Sequence, residues 1–337
     1  MRGVLWRVLR KILKIAGILI ILAVFIGVYF VWRAPVLKPK IYGVTFSPFQ
    51  AQVFGLDPRT VYAAIFDDLG IRHVRIGAYW NNIEGERGKF DFSSIDWQVE
   101  EAERRNAELV FVIGRKVPRW PECHIPVWAF KLTEKEQDEA LLKYDEVVIN
   151  RYKNSSAIKI WQVENEPFLP FGECPDFSTE SIDRELALVR SLDSRPVMVT
   201  DSGELSIWIR AARRSDIFGT TMYRRVFNGY LGELEYPLPP WFFRLKRGFT
   251  EFVAGKKPMV VIELQGEPWI NKWIPYATLE EQYRSMDPEY FKETLEYASR
   301  SGFDTFYLWG VEWWYWLREQ GHPEMWDIVE DKIKTTL

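Results

Sequence analysis

Two glutamates in this chain each follow a short, strongly apolar run. Glu166 ends Ile158-Lys-Ile-Trp-Gln-Val-Glu-Asn-Glu166, and Glu263 ends Lys257-Pro-Met-Val-Val-Ile-Glu263. Runs of this length and composition read as strands buried on both faces. Pro167 cannot donate to a sheet ladder and restricts the residue before it, so the first of these strands is expected to stop at about Glu166. A lone glutamate at a strand end is ordinarily solvated or ion-paired. Two at one lip of one sheet can share the cleavage of a bond. One carboxylic acid protonates a leaving oxygen while a second carboxylate attacks carbon or activates water, as glycosidic cleavage requires. Glu164 competes for the first role. Residues two apart on a strand face the same way, so it reads as a buried partner deeper in the barrel.

The elements that must hold this pair recur along the chain. Besides the two runs above, strands are expected at 41–46, 71–76, 108–113, 196–200, 217–223 and 303–309. Helices between them carry start signals: Asp57-Pro58, the capping boxes Thr133/Glu136 and Thr278/Glu281, and Asp287-Pro288. A helix is expected around 205–214, a long aromatic and proline-rich loop at 224–240, and a last helix at 323–334. Apolar strands alternating with amphipathic helices give a parallel sheet with both faces covered. Eight such pairs over roughly 300 residues fit an α/β fold of the (β/α)8 TIM barrel type, whose catalytic groups collect at the C-terminal ends of the strands. An open doubly wound sheet is the alternative. It usually has fewer strands, and the chain has no G-x-G-x-x-G turn after strand one and no P-loop.

Composition bounds the reading. Of 337 residues, 47% are hydrophobic and 27% charged, enough for a sizeable core without a staple. The net charge of -3 offers nucleic acid no basic footprint. Aromatics reach 16%, with 16 Trp, which suits a packed core and leaves rings over for stacking on sugars; Trp120, Trp128, Trp313 and Trp314 are candidates for either.

The N-terminus has its own pattern. A basic segment, 1–14, precedes an uninterrupted apolar run, 15–32, about as long as a bilayer's hydrocarbon core is thick, then a proline-containing linker, 33–40. Arg2, Arg7, Arg10, Lys11 and Lys14 outweigh Arg33, Lys38 and Lys40. That asymmetry favours a single-pass signal anchor with its N-terminus inside and the barrel, 41–337, extracytoplasmic. A cleaved signal peptide is the rival; the run is longer than the usual apolar region of one, and no small-x-small site precedes Arg33. The lipid bilayer and a carbohydrate are thus the expected partners. Cys123 and Cys174, the only cysteines, lie shortly after two predicted strands, so on an outward-facing barrel they either join across one rim or stay as two thiols.

The motif Asn165-Glu166-Pro167 resembles that of glycoside hydrolase clan A, the retaining barrel enzymes that include family 5 cellulases and mannanases and several β-galactosidase families. The resemblance implies Glu166 as acid/base, Asn165 as a contact to the sugar's 2-hydroxyl and Glu263 as nucleophile. Arg75, Tyr223 and Trp309 fall where family 5 keeps an arginine, a tyrosine and a stacking tryptophan, and would bind substrate. No metal or organic cofactor is implied. The chain departs from family 5 in its histidines: none follows Ile113 until His124, and Thr221 stands two before Tyr223. The expectation is a retaining, double-displacement β-glycosidase with its carboxyl groups about 5 to 5.5 Å apart. A catalytically silent barrel that binds glycan or serves as a scaffold is the alternative.

Overall fold

The computed structural model describes residues 2–33, 38–175 and 178–335. Positions 34–37 of the expected linker lie outside the described residues. The chain opens with α1 (Arg2–Arg33), followed by β1 (Ile41–Thr45), α2 (Pro48–Val53), α3 (Pro58–Asp67), β2 (His73–Gly77), α4 (Trp80–Ile83), α5 (Ser93–Arg104) and β3 (Glu108–Ile113). Next come α6 (Glu134–Tyr152), β4 (Ile158–Val163), α7 (Thr179–Leu192), β5 (Val197–Asp201), α8 (Ile209–Ala212) and β6 (Ile217–Met222). A hairpin, β7 (Arg225–Asn228) and β8 (Gly232–Glu235), leads to α9 (Pro240–Ala254) and β9 (Met259–Gln265). The chain ends with α10 (Leu279–Ser285), α11 (Pro288–Ser299), β10 (Thr305–Trp309), α12 (Val311–Glu319) and α13 (Glu324–Lys334).

Eight parallel strands close in the order β1-β10-β9-β6-β5-β4-β3-β2, so the expected (β/α)8 barrel is the fold. Several helices begin where the sequence signals them. Thr133 and Thr278 form reciprocal capping boxes with Glu136 and Glu281, and Asp57 and Asp287 cap helices that start on proline. The principal core lies between strands and helices and includes Val44, Trp161, Val163, Val199 and Leu264. A smaller cluster, Val110, Met198, Val260, Ile262 and Tyr307, fills the barrel itself. Gly43 makes room for it, since a Cβ there would come within 2.8 Å of the Tyr307 ring.

One irregularity in β9 decides where the site forms. Phe306 and Leu308 of β10 face Val261 and Leu264, and Thr220 and Thr221 of β6 face Val261 and Glu263. β9 therefore holds one residue more than its neighbours at Ile262-Glu263. Strict alternation after the inward Val260 and Ile262 would turn Glu263 outward. The bulge turns it inward instead, where Arg75 meets it.

Two stretches differ from expectation, and a third forms a helix where none was assigned. The helix expected at 205–214 is only α8, because Lys246 holds the Ser206 carbonyl at 2.6 Å and keeps that stretch irregular. The 224–240 loop folds back on itself as the β7–β8 hairpin. The aromatic segment after β10 forms α12, where burial of Trp313 and Trp314 overrides modest helix propensity.

The stretch Leu9–Val31 of α1 has 23 residues at a mean hydropathy of 2.6, long and apolar enough to cross a membrane. Its C-terminal end packs on α9. Phe30 meets Phe249 and Phe252 edge-on, with ring centroids 5.7 and 5.6 Å away, and Arg244 donates to the Val31 carbonyl at 2.8 Å. Gly248 permits the approach, since a Cβ there would lie 2.7 Å from the Phe30 carbonyl oxygen.

Candidate active site

β4 stops at Val163 rather than near Glu166, and the chain turns sharply. Glu164 and Glu166 adopt left-handed φ angles of 58° and 46°. Among the described residues six non-glycine positions have positive φ, and four of them are Arg119, Glu122, Glu164 and Glu166, all beside this turn. Such backbone persists where its surroundings over-determine it. Here the backbone N–H groups of Arg115 and Lys116 donate to the Glu164 carboxylate at 3.1 and 2.5 Å, and the Asn165 N–H donates to the Lys116 carbonyl at 2.7 Å. The Glu166 N–H donates to Thr200 Oγ1 at 2.8 Å, while Lys116 Nζ binds the carbonyls of Glu166 and Leu169 at 3.2 and 2.9 Å.

Glu164 is therefore a buried partner, but not one deeper in the barrel. Because the strand has already ended, its side chain escapes the alternation and lies over the end of β3, close to Gly114, where a Cβ would meet the carboxyl carbon at 2.6 Å. There it shares Arg115 with Asp145 and Glu185. Burial raises all three acids from their ordinary values, Asp145 and Glu185 well above them, and Arg115 opposes the rise.

Arg75, fully buried, joins the two halves of the site. Its Nη1 donates to Glu263 Oε1 at 2.6 Å, Nη2 to Asn165 Oδ1 at 2.7 Å and Nε to Gln162 Oε1 at 2.9 Å. The Tyr223 hydroxyl donates to Glu263 Oε2 at 2.9 Å, so each oxygen of that carboxylate has a donor. Thr221, register partner of Glu263, donates to Glu166 Oε1 at 3.1 Å. The strand pairing that places Glu263 thus also places the hydroxyl that holds Glu166. Glu166 is pushed well above the carboxylate range, first by burial and then by the charge of Glu263, with Lys116 opposing.

Glu122, in the loop after β3, is a third acid of the site. Asn165 Nδ2 donates to its Oε2 at 3.2 Å. Burial, then the Glu263 charge, pushes it up to about 7. The loop is tied down by a disulfide between Cys123 and Cys174, which resolves the two alternatives for these cysteines.

Trp309 ends β10, and its indole N–H donates to Glu267 Oε1 at 2.7 Å. The Arg119 guanidinium covers one of its faces, with the guanidinium carbon 4.0 Å from the ring centroid. Arg119 also donates to Glu267 and Glu312 at 2.5 and 2.7 Å. Glu312 is fully buried at the start of α12, where it also accepts the Ser47 N–H at 2.6 Å. Trp313 and Trp314 are core residues bonded to Gln282 Oε1 and the Gly266 carbonyl. Trp128 is half-buried and donates to the Glu84 carbonyl, and Trp120 is exposed beside Phe171.

The structure brings Arg75, Asn165, Glu166, Tyr223 and Glu263 into one network, with Trp309 linked to the neighbouring Arg119 cluster. Sequence reasoning missed Glu122, Arg119 and Glu267. The one signal for Arg119 and Glu122 was the crowding of charged residues around Pro121 and Cys123 after a strand, and Glu267 had none beyond its place just past the strand of Glu263. Among the described residues no three His, Cys, Asp or Glu side chains are placed to hold a metal ion.

No protein-family model and no curated protein matches this chain. Solved structures do. It is similar to a cold-adapted β-galactosidase from Rahnella sp. R3, with a TM-score of 0.58 and 11% identity over 81% of this chain and 50% of that one. A family 10 endo-β-1,4-xylanase from Gloeophyllum trabeum matches with a TM-score of 0.53 and 20% identity, over 82% and 86% of the two chains. A GH5_18 protein from Streptomyces cattleya, solved in complex with GlcNAc, matches with a TM-score of 0.57 and 13% identity, over 81% and 70%. The chain spans about half the length of the β-galactosidase chains it matches. At these identities the likeness is one of fold: this chain has the (β/α)8 barrel that these glycosidases share.

Proposed function

We propose that this chain is a membrane-anchored retaining β-glycosidase acting on an oligosaccharide or polysaccharide. The observation that carries the reading is the unequal treatment of two neighbouring carboxylates. Glu263 accepts a hydrogen bond from a guanidinium on one oxygen and from a phenol on the other, while Glu166 is buried and, with Glu263 beside it, holds its proton to well above the carboxylate range. In this reading Glu263 attacks the anomeric carbon as Glu166 protonates the departing oxygen. Glu166, now a carboxylate, then takes a proton from the water that releases the sugar. Arg75 and Asn165 position the nucleophile and the sugar beside it, Tyr223 steadies the carboxylate, and Trp309 borders the sugar with Arg119 at its face. A silent glycan-binding barrel has no need of this division of charge.

The anchor reading rests on α1 and its contact with α9. The apolar stretch ends against a helix that exposes Trp241, Phe249 and Phe252 and sets Arg244 at the junction, a composition suited to the interface of a bilayer. With the basic segment inside, the barrel faces outward.

Hydrolysis of 4-nitrophenyl β-glycosides followed by NMR tests the activity and its stereochemistry together. Release of the β-anomer first supports retention, and first release of the α-anomer contradicts it. Protease treatment of intact cells tests the orientation: a barrel digested without lysis supports the anchor as drawn, and one protected until lysis reverses it.

A further inference from the structure

Glu122 is the acid that this reaction leaves without a role, yet it is held with care. It is 8% exposed with a left-handed φ of 74°. Its N–H donates to the Arg119 carbonyl at 2.8 Å and its carbonyl accepts from Val117 at 2.9 Å. The residue that follows it is tied by the Cys123–Cys174 disulfide. Gly172 lies so close that a Cβ there would sit 2.5 Å from the Glu122 Cβ. The strained backbone, the disulfide and the glycine each constrain where this carboxylate stands.

Its surroundings say what it could bind. Asn165 donates to Oε2, and Oε1 has no partner among the described residues. The Asn165 oxygen already accepts from Arg75, Gln162 and Thr200, at 2.7, 3.4 and 3.3 Å. A ligand here therefore meets one amide hydrogen and one carboxylate oxygen. On the reading that Glu263 attacks the anomeric carbon, two groups flank that carbon: the ring oxygen and the substituent at C2. The ring oxygen has no proton to give and loses electron density as the oxocarbenium-like transition state forms. The Arg75-Asn165-Glu122 flank thus suits the C2 substituent, and the Tyr223 flank the ring oxygen.

We propose that Glu122 pairs with a protonated amine at C2, so that the substrate is a β-glycoside of a 2-amino-2-deoxy sugar. This rests on the glycosidase reading and specifies its substrate class. A hydroxyl at C2 is served by the Asn165 amide and leaves a buried carboxylate facing a neutral group. An ammonium at C2 repels the positive charge that builds on C1, and a carboxylate against the nitrogen offsets that repulsion where it matters for rate. The amine in turn favours the ionised form of Glu122, which burial otherwise pushes up to about 7. Acylation of the nitrogen removes the charge and with it the advantage.

The test uses the full chain and matched 4-nitrophenyl β-glycosides of gluco, galacto and manno configuration, each bearing a hydroxyl, a free amine or an acetamide at C2. The amine is expected to show the highest kcat/KM within its set, by at least about tenfold. Glu122→Gln is expected to lower kcat/KM for the amine about tenfold or more beyond its effect on the hydroxyl analogue. If that variant fails to fold, the ranking by the unmodified protein decides alone. Cleavage of the hydroxyl or acetamide analogue as fast as the amine overturns this proposal and leaves the glycosidase reading standing. Cleavage of none of the set, in the unmodified protein and Glu263→Gln alike, overturns both.

Discussion

Arg75 Nη1 stands 2.6 Å from Glu263 Oε1, inside the barrel and sealed from solvent. The same guanidinium reaches Asn165 at 2.7 Å, so a residue of β2 sets the distance between the end of β9 and the turn after β4. A buried cation with two such obligations is difficult to replace. Lysine offers a point charge where the site uses three separate N–H directions.

Arg75→Met is expected to lower kcat/KM by about 100-fold or more, since Glu263 and Asn165 both lose the N–H group that positions them. Arg75→Lys should recover only part of the loss. Steady-state kinetics checks this, with circular dichroism to establish that the barrel is intact. Full activity in Arg75→Lys would show that charge alone suffices.

Glu166→Gln should reduce turnover of glycosides with poor leaving groups by about 100- to 10,000-fold and spare activated ones in their first step. Because burial and Glu263 hold the Glu166 proton to well above the carboxylate range, activity of the unmodified protein should persist toward neutral pH and fall as this acid ionises. The variant should lack that fall, and added azide should restore turnover by giving a β-glycosyl azide. A variant that keeps the same alkaline limb would remove Glu166 from the acid role.

Glu122 makes stability depend on pH. Its ordinary value is 4.5 and the fold moves it up to about 7, so the folded chain holds this proton more tightly than the unfolded one. Its contribution is fully present below 4.5 and lost as pH rises through about 7. The Tm of the unmodified protein should therefore drop between these limits, and Glu122→Gln should flatten part of the drop. Parallel melting curves for the two proteins would refute this.

The Cys123–Cys174 bond closes a separation of 51 residues, and its loss is expected to cost about 4 kcal/mol in the chain-entropy account. It also anchors the loop of Arg119 and Glu122. Cys123→Ser with Cys174→Ser should lower both Tm and kcat/KM. A lowered Tm with unchanged kinetics would confine the bond to a stabilising role.

The strands and the Thr133 and Thr278 caps were legible because they obey local rules, apolar runs bounded by turn residues and side chains that satisfy helix N–H groups. The inward turn of Glu263 was not. It depends on one extra residue in β9, which shows only against the registers of β6 and β10. Glu164 was misplaced for a related reason: alternation applies only while a strand lasts, and β4 ends at Val163. Glu122, Arg119 and Glu267 were hidden because their partners lie far along the chain, with Arg119 148 positions from Glu267 and 193 from Glu312. No local pattern encodes such pairings.

The most direct test is to trap the covalent intermediate. Incubation with activated 2-fluoro and 5-fluoro β-glycosides, then intact-mass and peptide analysis, should show one sugar per chain on Glu263 and none on Glu263→Gln. Failure of every such donor to label Glu263, with Glu263→Gln turning over glycosides at the unmodified rate, would contradict the double-displacement account.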